Sequence, residues 1–343
     1  MELSHKQIES LKEMLAQPRL RIVILSHTNP DGDAVGSSLA WAEVLRARGH
    51  EVTCVVPNKY PYFLDWMPGI EEVVVFKTDT EGRAVKAIAE ADVLFCLDFN
   101  AVSRLEILSE TIQGNTTARR VLIDHHLQPD EGFDIVFSHP ESSSTCFLVY
   151  CLVEAMYGTG AITRRMGELL YVGMMTDTGN FAFSHLTPEL FRAVAVLLEK
   201  GISIPEIHNS VYNAYTEGRA RLFGYAINRK MALIEDGTVA YMSLLESEMR
   251  RFQFQQGDSE GFVNYALTIK KVKMSAMFLA HRKFIRISLR SRGNVDVNLF
   301  ARKYFNGGGH KNAAGGKSFL SMEETIDHYI RSVREFAEEG YLD

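Results

Sequence analysis

A series of short apolar runs constrains this chain most, because each is strand-sized and several end in an acid or a histidine. The runs are Arg21 to Ser26 (RIVILS), Glu51 to Val56 (EVTCVV), Val73 to Phe76, Asp92 to Leu97 (DVLFCL) and Arg120 to Ile123 (RVLI). Apolar on both faces and separated by longer segments, they predict buried parallel strands joined by crossover helices. Helical spacing covers Ala34 to Arg48, with Gly49 as a natural stop, then Thr145 to Tyr157, Thr163 to Met175 and Pro188 to Lys200. From about Gly201 the pattern changes. Thr238 to Leu244 and Lys283 to Leu289 read as strands, Val295 to Tyr304 and Met322 to Glu339 as helices. The expected fold is α/β in two domains. A mainly parallel, doubly wound sheet over 1–200 is followed by a linker over 201–218 and a smaller α/β domain over 219–343, with the active site in the cleft between them. At roughly 150 residues per domain, the 343 residues fit two cores.

Composition excludes several classes. Hydrophobic residues are 46% and charged residues 23% of the chain, as in an ordinary globular protein and unlike a disordered one. No stretch approaches the ~18 apolar residues of a membrane span. The start, MELSHKQIESLKEML, lacks the apolar core of a secretory leader. A soluble, cytoplasmic protein with no membrane contact is therefore expected. Cys54, Cys96, Cys146 and Cys151 show no paired metal-ligand spacing and read as reduced, structural residues. The net charge of −6 hides an asymmetry: Phe262 to Lys317 carries 12 Lys or Arg against the single acid Asp296, a surplus of +11 that leaves −17 on the remainder. Such a basic segment suits a polyanionic ligand.

The sharpest local pattern is His27-Thr-Asn-Pro-Asp31-Gly-Asp33-Ala-Val-Gly36, directly after the first strand and before a helix. Ligands of doubly wound sheets bind at such strand ends. Taken alone, the segment also reads as a plain turn with an Asp N-cap. The pattern recurs, however. Asp98 closes one apolar run, Asp124-His125-His126 closes another, and Asp177 ends the segment Leu169 to Thr176. Mixed histidine and carboxylate donors at four such sites point to a metal cluster. Two metals about 3.5–4 Å apart would clamp a phosphoryl group and generate hydroxide near neutral pH, the chemistry of phosphoester hydrolysis.

In the basic segment stand Arg290-Ser291-Arg292 and the run Asn306-Gly307-Gly308-Gly309-His310-Lys311-Asn312-Ala-Ala-Gly-Gly-Lys317. Glycine-run amides approach anions closely, and a helix starting near Asn312 would add its positive end. Arg290 and Arg292 would bind phosphate by fork geometry, and His310 would donate or shuttle a proton. Gly316-Lys317-Ser318 is not a Walker A loop, because the register places Lys311 where that motif needs glycine.

These elements, in order, resemble the four motifs of the DHH phosphoesterase superfamily, and GGGHKNAAGG resembles the signature of its associated C-terminal domain. The resemblance runs from Arg21 to Lys317 and is most similar to the nanoRNase branch. It implies that His27, Asp31 and Asp98 hold one metal and that Asp33, Asp98, His125 and Asp177 hold a second, with Asp98 bridging and catalytically essential. His126 would not be a primary ligand but would contact the scissile phosphate or support the site, and Asp124 would orient a histidine by accepting its other N–H. Arg290, Ser291, Arg292, Gly307, Gly308, Gly309 and His310 would bind substrate. Two divalent ions are implied, manganese first and magnesium second. The implied substrates are short 5′-phosphorylated RNA or DNA oligonucleotides, cleaved to mononucleotides, and 3′-phosphoadenosine 5′-phosphate. Superfamily members are often homodimers. The same metal set would also suit a cyclic- or linear-dinucleotide phosphodiesterase or an exopolyphosphatase, and the alternative outside enzymes is a nucleotide sensor.

Overall fold

The structure, a computed structural model, describes residues 3–182 and 185–342. The chain divides into two compact units, one up to Ala214 and one from Tyr215 onward. In the first unit the strands are β1 (Arg21–Leu25), β2 (Glu51–Val56), β3 (Val74–Val75), β4 (Val93–Leu97), β5 (Arg119–Asp124) and β6 (Ile135–Ser138). They form one sheet in the order β3-β2-β1-β4-β5-β6, every pair parallel. Beginning in the middle at β1, the chain winds outward to β3 and then returns to β4 on the other side. The winding therefore reverses between β1 and β4, where Leu25 lies beside Cys96. That reversal opens a crevice at the carboxyl ends of the two strands.

The helices of this unit are α1 (His5–Leu15), α2 (Gly32–Arg46), α3 (Arg83–Glu90), α4 (Ser109–Gly114), α5 (Thr145–Tyr157), α6 (Arg164–Asp177), α7 (Pro188–Glu199) and α8 (Ile204–Tyr212). Alternate strand residues serve opposite faces. Val23, Leu25, Leu94, Cys96 and Leu122 pack with Ala84, Ile88 and Ile112 of α3 and α4. On the other face Phe95 meets the fully buried Trp41 of α2 edge-on, with ring centroids 5.7 Å apart. Helix α2 in turn packs on α5 and α6, which explains why its residues are buried almost all round.

Helix α2 starts at Gly32, two residues before the expected Ala34, because the Asp31 side chain accepts from the amides of Asp33 and Ala34. Thr163 proves to be a cap: its hydroxyl accepts from Met166 N. The run Val73 to Phe76 shortens to the two paired residues of β3. Segment 201–218 carries α8, capped by Ser203.

In the second unit the strands are β7 (Met231–Ile234), β8 (Val239–Leu244), β9 (Met274–His281), β10 (Phe284–Ser291), β11 (Gly308–His310) and β12 (Ala313–Ser318). Their order is β11-β12-β10-β9-β8-β7; β8 and β9 are parallel and the other pairs antiparallel. The helices are α9 (Glu217–Tyr225), α10 (Glu246–Arg251), α11 (Phe262–Tyr265), α12 (Val297–Phe305) and α13 (Met322–Glu338). One sheet face, with Ala276, Phe278, Ile285, Ile287 and Leu289, buries Phe300 of α12 and Tyr329, Val333 and Phe336 of α13. A capping box between Ser321 and Glu324 starts α13.

One expectation is corrected here: no helix begins near Asn312. Ala313–Ser318 is a strand, paired with β10 and with the glycine run itself. Glycine costs about 1 kcal/mol per position in a helix relative to alanine. In this strand pair, by contrast, glycine is what fits: a Cβ on Gly309, at φ +150°, would lie 2.5 Å from Ala313 O, and one on Gly316 would lie 2.8 Å from Phe305 Cβ. Among the described residues, no helix is long and apolar enough to cross a membrane.

Candidate metal centre

The loops leaving β1, β4 and β5 and the end of α6 converge at the crevice. His27 stands two residues beyond β1. Its Nδ1 lies 2.9 Å from the carbonyl of Thr28, so a proton on Nδ1 leaves Nε2 as the free donor atom. That Nε2 is 3.4 Å from Asp98 Oδ2. His125, the first residue beyond β5, repeats the device. With Nδ1 at 3.2 Å from Ser142 O, its Nε2 lies 3.2 Å from Asp177 Oδ2, 3.5 Å from Asp98 Oδ1 and 3.8 Å from Asp33 Oδ2. Asp98 follows β4 with φ +63°, the left-handed conformation that aspartate tolerates better than most residues. The kink brings its carboxylate between the two histidines, where Thr145 Oγ1 also donates to Oδ1 over 3.0 Å.

Asp33 is completely buried and is held at the start of α5, where it accepts from Thr145 N at 2.6 Å and Cys146 N at 2.8 Å. A helix amino terminus is the favourable place for a buried carboxylate. The first turn of α2 and the last turn of α6 approach this closely because glycines line the contact. A Cβ on Gly32 would lie 2.7 Å from Thr176 Oγ1, one on Gly36 2.5 Å from Leu169 O, and one on Gly173 2.5 Å from Asp33 Oδ1. This approach sets Asp31 and Asp33 beside Asp177.

Two donor groups result: His27 with Asp31 and Asp98, and Asp33 with His125 and Asp177, each with ligand atoms within 4.8 Å of one another. Donors about 2.1 Å from a common octahedral ion lie roughly 3 Å apart when adjacent and roughly 4 Å when opposite. Their spacings of 3.2–3.8 Å fall in that range, and the imidazole and carboxylate chemistry suits a divalent ion of intermediate softness.

The electrostatics of the metal-free site show what a cation relieves. Burial, with the charge of Asp98, pushes Asp31 up to about 6, and the same causes push Asp33 well above its ordinary value. Burial alone would raise Asp98 too, but hydrogen bonds from His125 and His27 outweigh it and hold this carboxyl well below its ordinary value. Burial likewise opposes protonation of His27 and His125, yet the carboxylates around them win and raise both. Cations shared among these acids would replace those protons.

His126 has a different setting. Asp124, fully buried at the end of β5, accepts from His126 Nδ1 at 2.7 Å and from its backbone amide at 3.0 Å. Burial lowers the imidazole pKa, assisted by the charges of Arg104 and His125 and opposed by Asp124. The lowered pKa favours the neutral ring, and the bond to Asp124 fixes its orientation.

The predicted substrate-binding residues all lie in the second unit. Arg290 projects from β10 on the face it shares by alternation with Arg286 and Ser288, opposite the face buried by α12 and α13. The Ser291 hydroxyl is on the other side, donating to Val295 O at 2.6 Å and accepting from Asn312 Nδ2 at 2.9 Å. Arg292 is exposed just beyond the strand. Gly307 precedes β11, its amide on Ala301 O, and Gly308, Gly309 and His310 form β11, where Gly309 N donates to Asn298 Oδ1.

Sequence reasoning missed Thr145, Ser142, Arg104 and the three contact glycines. The run Ser142-Ser-Ser-Thr145 before an apolar helix was a signal for a capped amino terminus, and the Ser144 hydroxyl does accept from Phe147 N. Nothing in spacing alone could have paired Gly32 and Gly36 with α6.

Comparison with known proteins agrees with this arrangement. The DHH family N-terminal domain matches residues 21–174 and the DHHA1 domain residues 236–339. A Thermus thermophilus relative, a bifunctional oligoribonuclease and PAP phosphatase, is 27% identical over 98% of this chain and 97% of its own length. The crystal structure of an exopolyphosphatase-related protein from Bacteroides fragilis is 40% identical, covers 97% of each chain and superposes with a TM-score of 0.90. RecJ from Thermus thermophilus, solved in complex with Mn2+, shares the fold at a TM-score of 0.55, with 12% identity over 97% of this chain and 54% of RecJ. With both domain types matched in order and a relative alike over nearly its whole length, this chain belongs to the DHH family of proteins that carry a DHHA1 domain.

Proposed function

We propose that the protein is a metal-dependent phosphoesterase that hydrolyses short 5′-phosphorylated oligonucleotides to mononucleotides and removes the 3′-phosphate of 3′-phosphoadenosine 5′-phosphate. The observation that carries the reading is the pair of donor groups, His27–Asp31–Asp98 and Asp33–His125–Asp177, at the switch point of the parallel sheet. Asp98 lies between the two groups, with one oxygen toward His27 and the other toward His125, and would be the residue shared by both ions. Two divalent ions held there, manganese first and magnesium second, supply Lewis-acid activation of a phosphoryl group and of water.

The chain's own residues do the rest. Asp124 keeps the Nδ1 proton of His126 in place, so Nε2 faces the substrate phosphate and can accept or return a proton. The amides of Thr145 and Cys146 hold Asp33 rigidly, and the Thr145 hydroxyl holds Asp98. In the DHHA1 domain, Arg290 and His310 are the groups suited to the terminal phosphate. Likeness over almost the full length to an oligoribonuclease and PAP phosphatase supports the substrate class.

Hydrolysis of a matched panel with Mn2+ tests this reading: pApA, a 5′-phosphorylated five-residue RNA, 3′-phosphoadenosine 5′-phosphate, a cyclic dinucleotide and polyphosphate. Preferential cleavage of the short linear RNAs and the bisphosphate, abolished by Asp98→Ala, is the expected result. Preference for polyphosphate or the cyclic dinucleotide would overturn the substrate assignment, and full turnover by Asp98→Ala would overturn the site.

A further inference from the structure

Beyond β4 the chain runs through a short loop to Arg104, and this loop is fastened on both sides. The Asn100 side-chain amide donates to Leu127 O at 2.7 Å and Gln128 O at 3.2 Å, while Asp130 returns its own amide to Asn100 O at 2.7 Å and accepts from Val102 N at 3.0 Å. These bonds tie the loop carrying Asp98 to the loop carrying His125 and His126. On the other side, the carbonyl of Arg104 accepts from Thr28 N at 2.9 Å, next to His27. Arg104 is thus anchored by its backbone at the rim of the metal centre, between the two loops that bear histidines.

Its side chain is not used for any of this. Half-buried, it makes no ion pair and no side-chain hydrogen bond among the described residues. Other arginines of this unit, at the amino ends of the strands and away from the metal centre, are committed. Arg21 meets Asp92 at 2.8 Å, Arg119 meets Asp134 at 3.0 Å, and Arg120 caps the carbonyls of Ile112 and Asn115. The Arg104 charge reaches both His27 and His126, where it opposes protonation. A partly desolvated guanidinium without an anion is costly unless a ligand completes it.

Charge balance shows what that ligand is. Asp31, Asp33, Asp98, Asp124 and Asp177 bring five negative charges to the centre. Two divalent ions offset four of them, so an incoming phosphate meets a site that is still slightly negative. A fixed cation at the rim is what the first unit needs to accept a further anion. We propose that Arg104 is a phosphate-binding residue that takes a non-bridging oxygen of the substrate phosphoryl group beside His126, a role that rests on the phosphoesterase reading above.

The test uses the full-length, Mn2+-loaded protein and two readouts. Inorganic phosphate binding is measured by calorimetry, and steady-state hydrolysis of pApA gives KM and kcat. Arg104→Met keeps the aliphatic stem and the backbone bond to Thr28, so Mn2+ content should not change. Loss of a charge-assisted hydrogen bond should weaken phosphate binding and raise KM roughly ten- to hundred-fold, and Arg104→Lys should fall between Met and wild type. Phosphate affinity and KM within two-fold of wild type in Arg104→Met would overturn the proposal. So would loss of Mn2+ from both variants, because Arg104 would then act on the ligands and not on the substrate. Wild type that binds phosphate through Arg104 but cleaves nothing in the panel would overturn the proposed substrate and leave this site standing.

Discussion

Gly173→Ala is the substitution that most directly tests how the fold builds the metal centre. A Cβ at this position in α6 collides with Cys146 Sγ and lies 2.5 Å from Asp33 Oδ1 and 2.7 Å from Cys146 Cβ. None of these atoms yields easily: Cys146 is in the first turn of α5, and Asp33 is pinned by two amides of that turn. Overpacking of this kind costs about 1–3 kcal/mol. Replacing glycine by alanine inside a helix returns about 1 kcal/mol, so the net loss should be up to about 2 kcal/mol. For a unit of this size the transition midpoint should fall by up to roughly 8 °C. The displaced Asp33 also loses its place as a donor, and Mn2+ affinity should fall at least ten-fold.

Gly167→Ala in the same helix is the control. Its Cβ meets the Cγ2 methyl of Ile202 at 2.9 Å and Leu197 at 3.8 Å but no metal donor, so it should carry a packing cost of up to about 2 kcal/mol while Mn2+ binding should not change. Adding Cys146→Ala to Gly173→Ala removes the sulfur and should recover part of the stability, but the carboxylate contact persists and Mn2+ affinity should stay low. Thermal unfolding with and without Mn2+, together with Mn2+ titration, reads all three variants. Wild-type stability and affinity in Gly173→Ala would refute the claim that close approach of α2 and α6 positions Asp33.

Burial and the Asp98 charge raise Asp31 from 3.8 to about 6 in the metal-free protein. Between those values the folded form keeps a proton that the unfolded form releases, so Asp31 costs stability as pH rises through this window, by at most about 3 kcal/mol. The stability of metal-free wild type relative to Asp31→Asn should therefore fall from pH 4.5 to pH 7, and a difference that is flat or rises would contradict it. Asp124→Asn removes the carboxylate that fixes His126; kcat should drop roughly 10- to 100-fold with Mn2+ content unchanged, and wild-type kcat would exclude the orienting role. Burial pushes Cys54 and Cys96 up to about 12 and raises Cys146 as well. A thiol reagent at pH 8 should therefore modify these three only after denaturation, and rapid labelling of Cys146 in the native protein would count against the packing described for α5.

What the sequence made legible follows from the range of the forces involved. The strands of the first unit could be read because burial on both faces writes a continuous apolar run, and the acids after them because a strand end is a fixed point in a doubly wound sheet. All six expected metal donors, His27, Asp31, Asp33, Asp98, His125 and Asp177, come together in the structure. Strand β9, by contrast, lies in a stretch of the basic segment that mixes alanine, serine and methionine, where alternation is weak. The helix expected at Asn312 is a strand because the reason for its glycines lies in partner elements: β12 itself for Gly309 and Phe305 for Gly316. The same logic hid Gly173 and Thr145. Each acts on a residue distant in sequence, Asp33 or Asp98, and a single chain records such pairings only as unexplained small or hydroxyl residues. Arg104 is the limiting case, because a single arginine in the short helical turn Val102–Leu108 looks like any solvated charge. Only its backbone bond to Thr28, the clasp of Asn100 and Asp130, and a side chain with no acid to meet distinguish it from a surface residue.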